Sequence, residues 1–414
     1  MKRFPLFLMA VMVGWYANAQ IAKESTKVDY IKSIHFLGLP AHQQIPVIKQ
    51  GQQWTLSFDD LLAEDNDYYY RIRHFNADWT PSTLFQNQYL GGFDNQRIDN
   101  FRSSYNTLQR YNNYQLTLPN QNTQFLASGN YMVEIYDFSD RLVFARKFLV
   151  LDEKAQVQVG VFPPQDVSRL LTHQNLQFTI TPFGFQLRNP NNDLTVVMLQ
   201  NSQWNSSIIA PKPQYTNGNQ LIYRYTEVTL FQGGNEYLNV DTKDIASTTP
   251  MIGLVERGER YEHYLYPALP RKNFPYTYAP DIDGNFVVNT LQGNDPHIEA
   301  DYSEVYFQLA RQHALEDEEV YIYGKFNNYA LNDRNKMIYN PQMEVYEGIL
   351  LLKQGFYDYN FVIKKNGELH KNALSGSHSA TENHYLVLVY HRGIGDLYDT
   401  LIGVGDQQSF ALSR

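Results

Sequence analysis

The chain has 414 residues, with 34 Lys plus Arg against 43 Asp plus Glu and a net charge of −9, a balance that argues against a non-specific nucleic-acid binder or an anionic-membrane binder. Apolar residues make up 43% and charged residues 19%, so the chain can bury cores and intrinsic disorder is disfavoured. Aromatics reach 14%, carried by 32 Tyr and 24 Phe, which favours pleated sheet, and the absence of Cys removes disulfides, thiolate nucleophiles and zinc knuckles together.

Lys2 and Arg3 precede an apolar run at residues 4–16, and Ala17-Asn18-Ala19 supplies the small residues a signal peptidase needs. The pattern predicts a secretory signal peptide at residues 1–19 cleaved before Gln20, because the run is shorter than the ~20 apolar residues of a membrane span. Removing those nineteen residues, with their two positive charges, leaves 395 residues of net charge −11. An exported, Cys-free, acidic chain of this kind is expected in a periplasm or outside the cell.

From Val28 onward, period-two alternation with turn residues between runs predicts strands almost throughout. Val157, Val159 and Val161 alternate with polar or small residues, as do Tyr357, Tyr359, Phe361 and Ile363. Short helical connectors are expected near residues 59–64, 82–89 and 165–172. The form L-x-x-G-x-Y occurs at Leu126 to Tyr131 and Leu352 to Tyr357, with a looser version from Leu230 to Tyr237. Such a Gly-x-Tyr step suits the tyrosine corner of immunoglobulin-like sandwiches, although it is also common in any Tyr-rich β protein. The expectation is an all-β chain of three tandem immunoglobulin-like sandwiches, at 20–153, 154–296 and 297–414. Charged residues 152–154 and the turn cluster Gly293-Asn294-Asp295-Pro296 mark the boundaries. Four prolines between Pro267 and Pro280 predict an extended connection over the middle domain.

Candidate chemistry is sparse. His370, His378, His384 and His391 fall within 22 residues, but His384 and His391 flank one strand at opposite parity and so face opposite sides, and no metal site is expected. Asp281-Ile282-Asp283-Gly284-Asn285 opens like a calcium loop, yet Gln292 stands where a bidentate Glu belongs, so a turn before a strand is the better reading. Ser377 beside His378 lacks the strand-to-helix elbow of a Ser hydrolase. No catalytic residue, cofactor or phosphate cradle is expected.

The most distinctive stretch runs from Tyr68 to Trp79, where Tyr70 and Ile72 share a buried face, Arg71 and Arg73 the other, and Asn76, Asp78 and Trp79 cap the strand. A long excursion follows at residues 89–107. Its aromatic and hydrogen-bonding residues make Tyr89, Phe93, Asn95, Arg97, Phe101 and Tyr105 the candidate partner-binding set. The equal alternative is a loop folded over its own sandwich.

These motifs, YYYRIRHFNADW at 68–79, YLGGF at 89–93, SSYNT at 103–107, SGNY at 128–131, PDIDGNF at 280–286 and DTLIGVG at 399–405, resemble the plug proteins of the type IX secretion system. The resemblance implies a non-enzymatic periplasmic protein that occupies the mouth of the giant outer-membrane translocon barrel while no client is in transit. It implies no catalytic residue, no nucleic acid and no membrane insertion. Val320 to Tyr329 and the Gly355-Phe356-Tyr357 turn also resemble the early-set sandwich of glycogen-binding modules, with Tyr329 at the place of their sugar-stacking Trp. A carbohydrate-binding or adhesion module is therefore the alternative function, although the lost Trp makes glycan unlikely as a partner.

Overall fold

Strands form 46% of the chain and helices 5%, as the all-β reading requires. The computed structural model describes residues 21–185 and 187–409, so the expected signal peptide lies outside the described residues.

The first sandwich faces two sheets. One orders Ser25–Thr26, Leu142–Leu151, Gly129–Asp137, Tyr68–Phe75 and Gln96–Arg97, with Val47–Lys49 parallel to the second of these. The other orders Ile31–Leu37, Trp54–Asp60, Asn112–Leu118 and Phe101–Ser103. Alternation dictates what lies between them: Tyr70 and Ile72 point inward with Phe58, Tyr114, Tyr131, Val133 and Phe148, and burying such side chains contributes roughly 1.5–3 kcal/mol each. Arg71 and Arg73 take the other face, with Arg71 4.2 Å from the Tyr136 ring.

Strand pairing divides the rest of the chain differently from the contiguous boundaries expected. Ala155–Phe162 and His173–Pro182 belong to one sheet of the middle sandwich. Its opposite sheet pairs Leu194–Gln200 with His384–His391 and then Thr400–Gln408, so the last two strands of the chain complete the middle sandwich. Between them a third sandwich is inserted, from Leu238–Asp241 to Glu368–His370, built on the long strands Tyr302–Ala310, Val345–Lys353 and Gly355–Lys365. The turn cluster at 293–296 is real, because Asp295 accepts from the His297 N–H at 3.0 Å and starts the helix Pro296–Glu299, but it lies inside the insert. A turn signal is local, whereas strand partnership is set at separations approaching two hundred residues.

The chain leaves and re-enters the middle sandwich at one doorway. A Cβ on Gly233 would stand 2.0 Å from the His378 carbonyl oxygen, so only glycine lets the two crossings touch. His378 N–H donates to the Gly234 carbonyl at 2.7 Å, and the Asn383 side chain donates to Gly233 at 2.8 Å. The proline-rich connection is extended, but it lies along the insert rather than the middle sandwich: Arg271 and Lys272 both donate from the backbone to Leu374.

His384–His391 is buried on both faces. Tyr385, Val387 and Val389 join the middle core, while Leu386, Leu388 and Tyr390 meet Phe75, Met132 and Leu149 from the outer face of the first sandwich. Four sheets therefore stack with three apolar layers between them. Of the expected connectors, Gln86–Tyr89 is helical and Val167–Arg169 is a 3₁₀ turn, while residues 59–64 are a strand end and turn.

Two of the three tyrosine steps close on themselves. Tyr131 Oη donates to the Ala127 carbonyl at 2.8 Å and Tyr357 Oη to the Lys353 carbonyl at 2.6 Å, four residues back in each case. Tyr237 instead accepts from Gln203 at 3.0 Å, across to the middle sandwich. Tyr131→Phe and Tyr357→Phe should each destabilise by roughly 1 kcal/mol, read as a lower denaturant midpoint. An unchanged midpoint in both variants would show that neither bond stabilises its corner.

Candidate partner surface

The excursion after the second long strand is not a free loop. Leu90–Gly92 pairs with Thr123–Phe125, Gln96–Arg97 with Tyr69 and Tyr70, and Phe101–Ser103 with Asn112 to Tyr114. These pairings pin the excursion to three sheets; of the six candidates Arg97 and Phe101 lie in paired strands, Tyr89 ends the short helix, and Phe93, Asn95 and Tyr105 lie between strands. Tyr89 is a core residue rather than a contact: its hydroxyl donates to the Ile72 carbonyl at 3.3 Å and its own carbonyl accepts from Tyr131. Phe101 is half-buried and stacks on Tyr114 at 5.0 Å. Asn95 sits at φ +57° and accepts from Arg71 Nε at 3.0 Å, and exposed Arg97 pairs with Asp67 and Asp99, each at 3.2 Å. Phe93 and Tyr105 remain as exposed aromatics, both at 68%.

Phe93 is one of several exposed apolar side chains that the first sandwich presents. Gly91 leaves room for Leu126, whose Cδ2 lies 3.3 Å from the position of an added Cβ, and Phe85, at the start of the short helix, is 77% exposed. Thr83 donates to the Leu397 carbonyl at 2.7 Å, which brings the turn carrying exposed Ile394 and Leu397 to the same end of the molecule. Exposed large apolar groups of this kind mark a surface where binding would remove them from water.

The far end of the excursion is a joint with the inserted sandwich. Arg102 pairs with Asp295 at 2.7 Å, Tyr105 N–H donates to Ile298 at 2.8 Å, and the N–H groups of Leu108 and Gln109 both donate to the Asp301 carboxylate. Beneath them lies a buried ion pair, Lys353 Nζ to Asp59 Oδ2 at 2.7 Å. Asp59 also accepts from Tyr302 Oη and Asn113 Nδ2, each at 2.7 Å, while Lys353 donates to the His297 carbonyl and lies 4.1 Å from the Tyr111 ring centre. Burial pulls the Lys353 ammonium below the ordinary lysine range, and Asp59 opposes that. Neighbouring His35 is lowered to about 4 by burial and is neutral. Lys353→Met leaves Asp59 buried without its counter-charge and should cost roughly 3 kcal/mol or more in a denaturant titration. Adding Asp59→Asn should restore most of that loss; no recovery in the double variant would show that the pair's geometry, rather than its charge, holds the joint.

The other sequence candidates fall as follows. Asp281 to Asn285 forms a turn before the strand Phe286–Val288, with Asp281 accepting from the Tyr237 and Asp283 N–H groups. Asp358 and Glu236 lie beside this turn, and Tyr276 Oη donates to Glu236. Burial, and then the Asp281 charge, raises the Asp358 carboxyl to about 8, and burial raises Glu236 to about 7. Asp283 is also pushed up by burial, with Glu382 adding its charge to the group. An unfolded carboxyl loses its proton near pH 4, so between about pH 4 and 8 the native state holds protons that the unfolded chain does not. Stability should therefore fall as pH rises from 5 to 8 and level off above. Asp358→Asn with Glu236→Gln should flatten most of that slope in melting temperatures at pH 5, 6.5 and 8; an unaltered slope would assign it elsewhere.

Of the four C-terminal histidines, His384 joins His42 and Asp406, with the donor atoms of all three within 4.8 Å of one another. His42 is 342 residues distant from His384 in sequence, which is why spacing could not find this grouping. The Asp406 carboxyl is lowered by its hydrogen bond to His384, and His42 is lowered by burial and the His384 charge. Two imidazoles and a carboxylate could hold one divalent ion. Tyr329, at the sugar-platform position, is tied to Gln44 at 2.7 Å and to the Gly284 carbonyl at 3.2 Å, so it belongs to the junction between sandwiches.

Fold and surface define an all-β protein of three interlocked sandwiches with an exposed aromatic rim on the first. Residues 31–152 match the family model described as the type 9 secretion system plug protein 1st domain. A crystal structure of a hypothetical protein from Parabacteroides merdae is similar to this chain at 31% identity with a TM-score of 0.88, covering 93% of this chain and 99% of that one. No curated protein matches the chain. The chain belongs to the type 9 secretion system plug protein family.

Proposed function

We propose that this chain is a non-enzymatic periplasmic plug, which binds and occludes the periplasmic opening of the type IX outer-membrane translocon when no client is in transit. The observation that carries the reading is the plug-domain match over residues 31–152, the sandwich that also presents Phe85, Phe93 and Leu126. A cap for a wide pore must not deform, and three stacked apolar layers plus a buried ion-paired joint make one stiff body. It must also leave when a client arrives, which calls for a modest interface with aromatic anchors in a polar rim. Among the described residues no helix is long and apolar enough to cross a membrane.

Replacing Phe85 and Phe93 together by Ala should leave the melting temperature within a degree or two of the parent, because neither is core, while co-purification of the tagged protein with the translocon is lost. Deleting the gene should admit large polar antibiotics only in cells that retain the translocon barrel. Unchanged permeability in that strain would overturn occlusion, and retained co-purification of the double variant would move the contact off this rim.

A further inference from the structure

A cavity of about 730 Å³ opens where all three sandwiches meet, between residues 21–26 and Trp79 of the first, Trp204 of the middle one, and residues 325–330 of the insert. Its charge is unlike that of the chain as a whole. In a protein of net charge −9, this cavity gathers Arg146, Lys147 and Lys325 around a single carboxylate, Glu24. The three cations hold Glu24 below the usual carboxylate range against the burial that would raise it. Even counting Glu24 as a full counter-charge, two positive charges are left over. Asp78 also lines the cavity, but it is exposed and its carboxylate accepts from Thr80, and exposed Lys23 lines the cavity as well.

The buried donors here lack charged acceptors. Among the described residues Arg146, almost wholly buried, donates from its side chain only to neutral oxygens: the Ser25 and Ala145 carbonyls and the Thr26 hydroxyl. Lys147, equally buried, forms no ion pair among the described residues, and its ammonium lies 4.0 Å from the Trp79 ring centre and 5.2 Å from that of Trp204. The indole N–H groups of Trp79 and Trp204 have no hydrogen-bond partner among the described residues. Burial lowers Lys147 to about 8, with Lys325 and Lys23 pushing the same way and Glu24 opposing. An uncompensated buried cation costs stability, and the joint at Lys353 shows the same fold supplying a carboxylate where a lysine is structural. The walls add Ile34, Val197, Ile209 and Leu352.

We propose that this cavity is a binding site for a small organic anion with an apolar or aromatic body. Its acidic head group would be received by Lys147, Arg146 and the indole N–H groups, and its body would lie against the apolar walls. The volume is that of ordinary small-ligand pockets. Such a ligand would touch every sandwich at once. The site is separate from the aromatic rim, and the inference does not depend on the proposed plug role.

Anilinonaphthalene sulfonate tests the idea against phenylnaphthylamine, its counterpart without the sulfonate, in fluorescence titrations of the purified mature protein. The sulfonate should bind at one site and the neutral dye at least about tenfold more weakly, a difference of one decade in Kd. Lys147→Met, which keeps the side-chain length and removes the charge, should weaken the sulfonate at least about tenfold while the melting temperature stays level or rises, because a buried unpaired charge has been removed. Lys325→Met, on the opposite wall, provides the same readout if the first variant folds poorly. Equal binding of the two dyes by the parent protein would overturn the proposal, as would parental sulfonate affinity in the folded lysine variants.

Discussion

The architecture depends on one strand being apolar on both sides. His384–His391 pairs with Leu194–Gln200 inside the middle sandwich, presents Tyr385, Val387 and Val389 to that core, and presents Leu386, Leu388 and Tyr390 to the first sandwich. A strand with one wet face would complete the middle sandwich but leave the first free to swing. Because both faces are dry, separating the two sandwiches would expose a second apolar layer, which at about 25 cal/mol per Å² is a large cost for any bending motion. The same strand also closes the chain over its insertion, since no strand after Glu368–His370 belongs to the third sandwich.

What was legible in the residues was whatever is local. Alternation placed Tyr70 and Ile72 inside and Arg71 and Arg73 outside, and the L-x-x-G-x-Y steps gave two real corners, because each bond spans four residues. Partnership across the chain was not legible. Nothing near Leu194 says that its neighbour is His391, and nothing near His384 points to His42. The insertion therefore read as a tandem array, with a genuine turn at 293–296 standing in for a boundary. The third tyrosine step carries the lesson in one residue: Tyr237 follows a Gly pair, as a corner would, but that pair is the doorway of the insertion, and its hydroxyl serves Gln203 instead.

The candidate surface divided in the same way. Residues 89–107 were read as one unit because they are contiguous and lack strand alternation, yet three separate pairings pin them to three sheets. Tyr89 was drawn into the core by the stack with His74 and the bond to Ile72, contacts made by residues fifteen and seventeen positions upstream. Phe93 kept its exposure, and Leu126 joined this segment only through its contact with Gly91, thirty-five residues upstream.

Charge is handled in two opposite ways within one molecule. At the joint between the first and inserted sandwiches, Lys353 meets Asp59, and Tyr302, Asn113 and the His297 carbonyl complete the shell, so a buried charge becomes a directional lock. At the three-way cavity, Lys147 meets two indole rings and Arg146 meets neutral oxygens. Cation–π contact offsets part of the desolvation of an ammonium but leaves its field unneutralised. The first arrangement is closed and needs nothing further. The second keeps a positive potential directed into the cavity, where low dielectric strengthens it and Glu24, the one carboxylate among the three cations, offsets only part of it. The surplus of Arg146, Lys147 and Lys325 over Glu24 is the physical reason to assign that cavity to a ligand that brings its own negative charge.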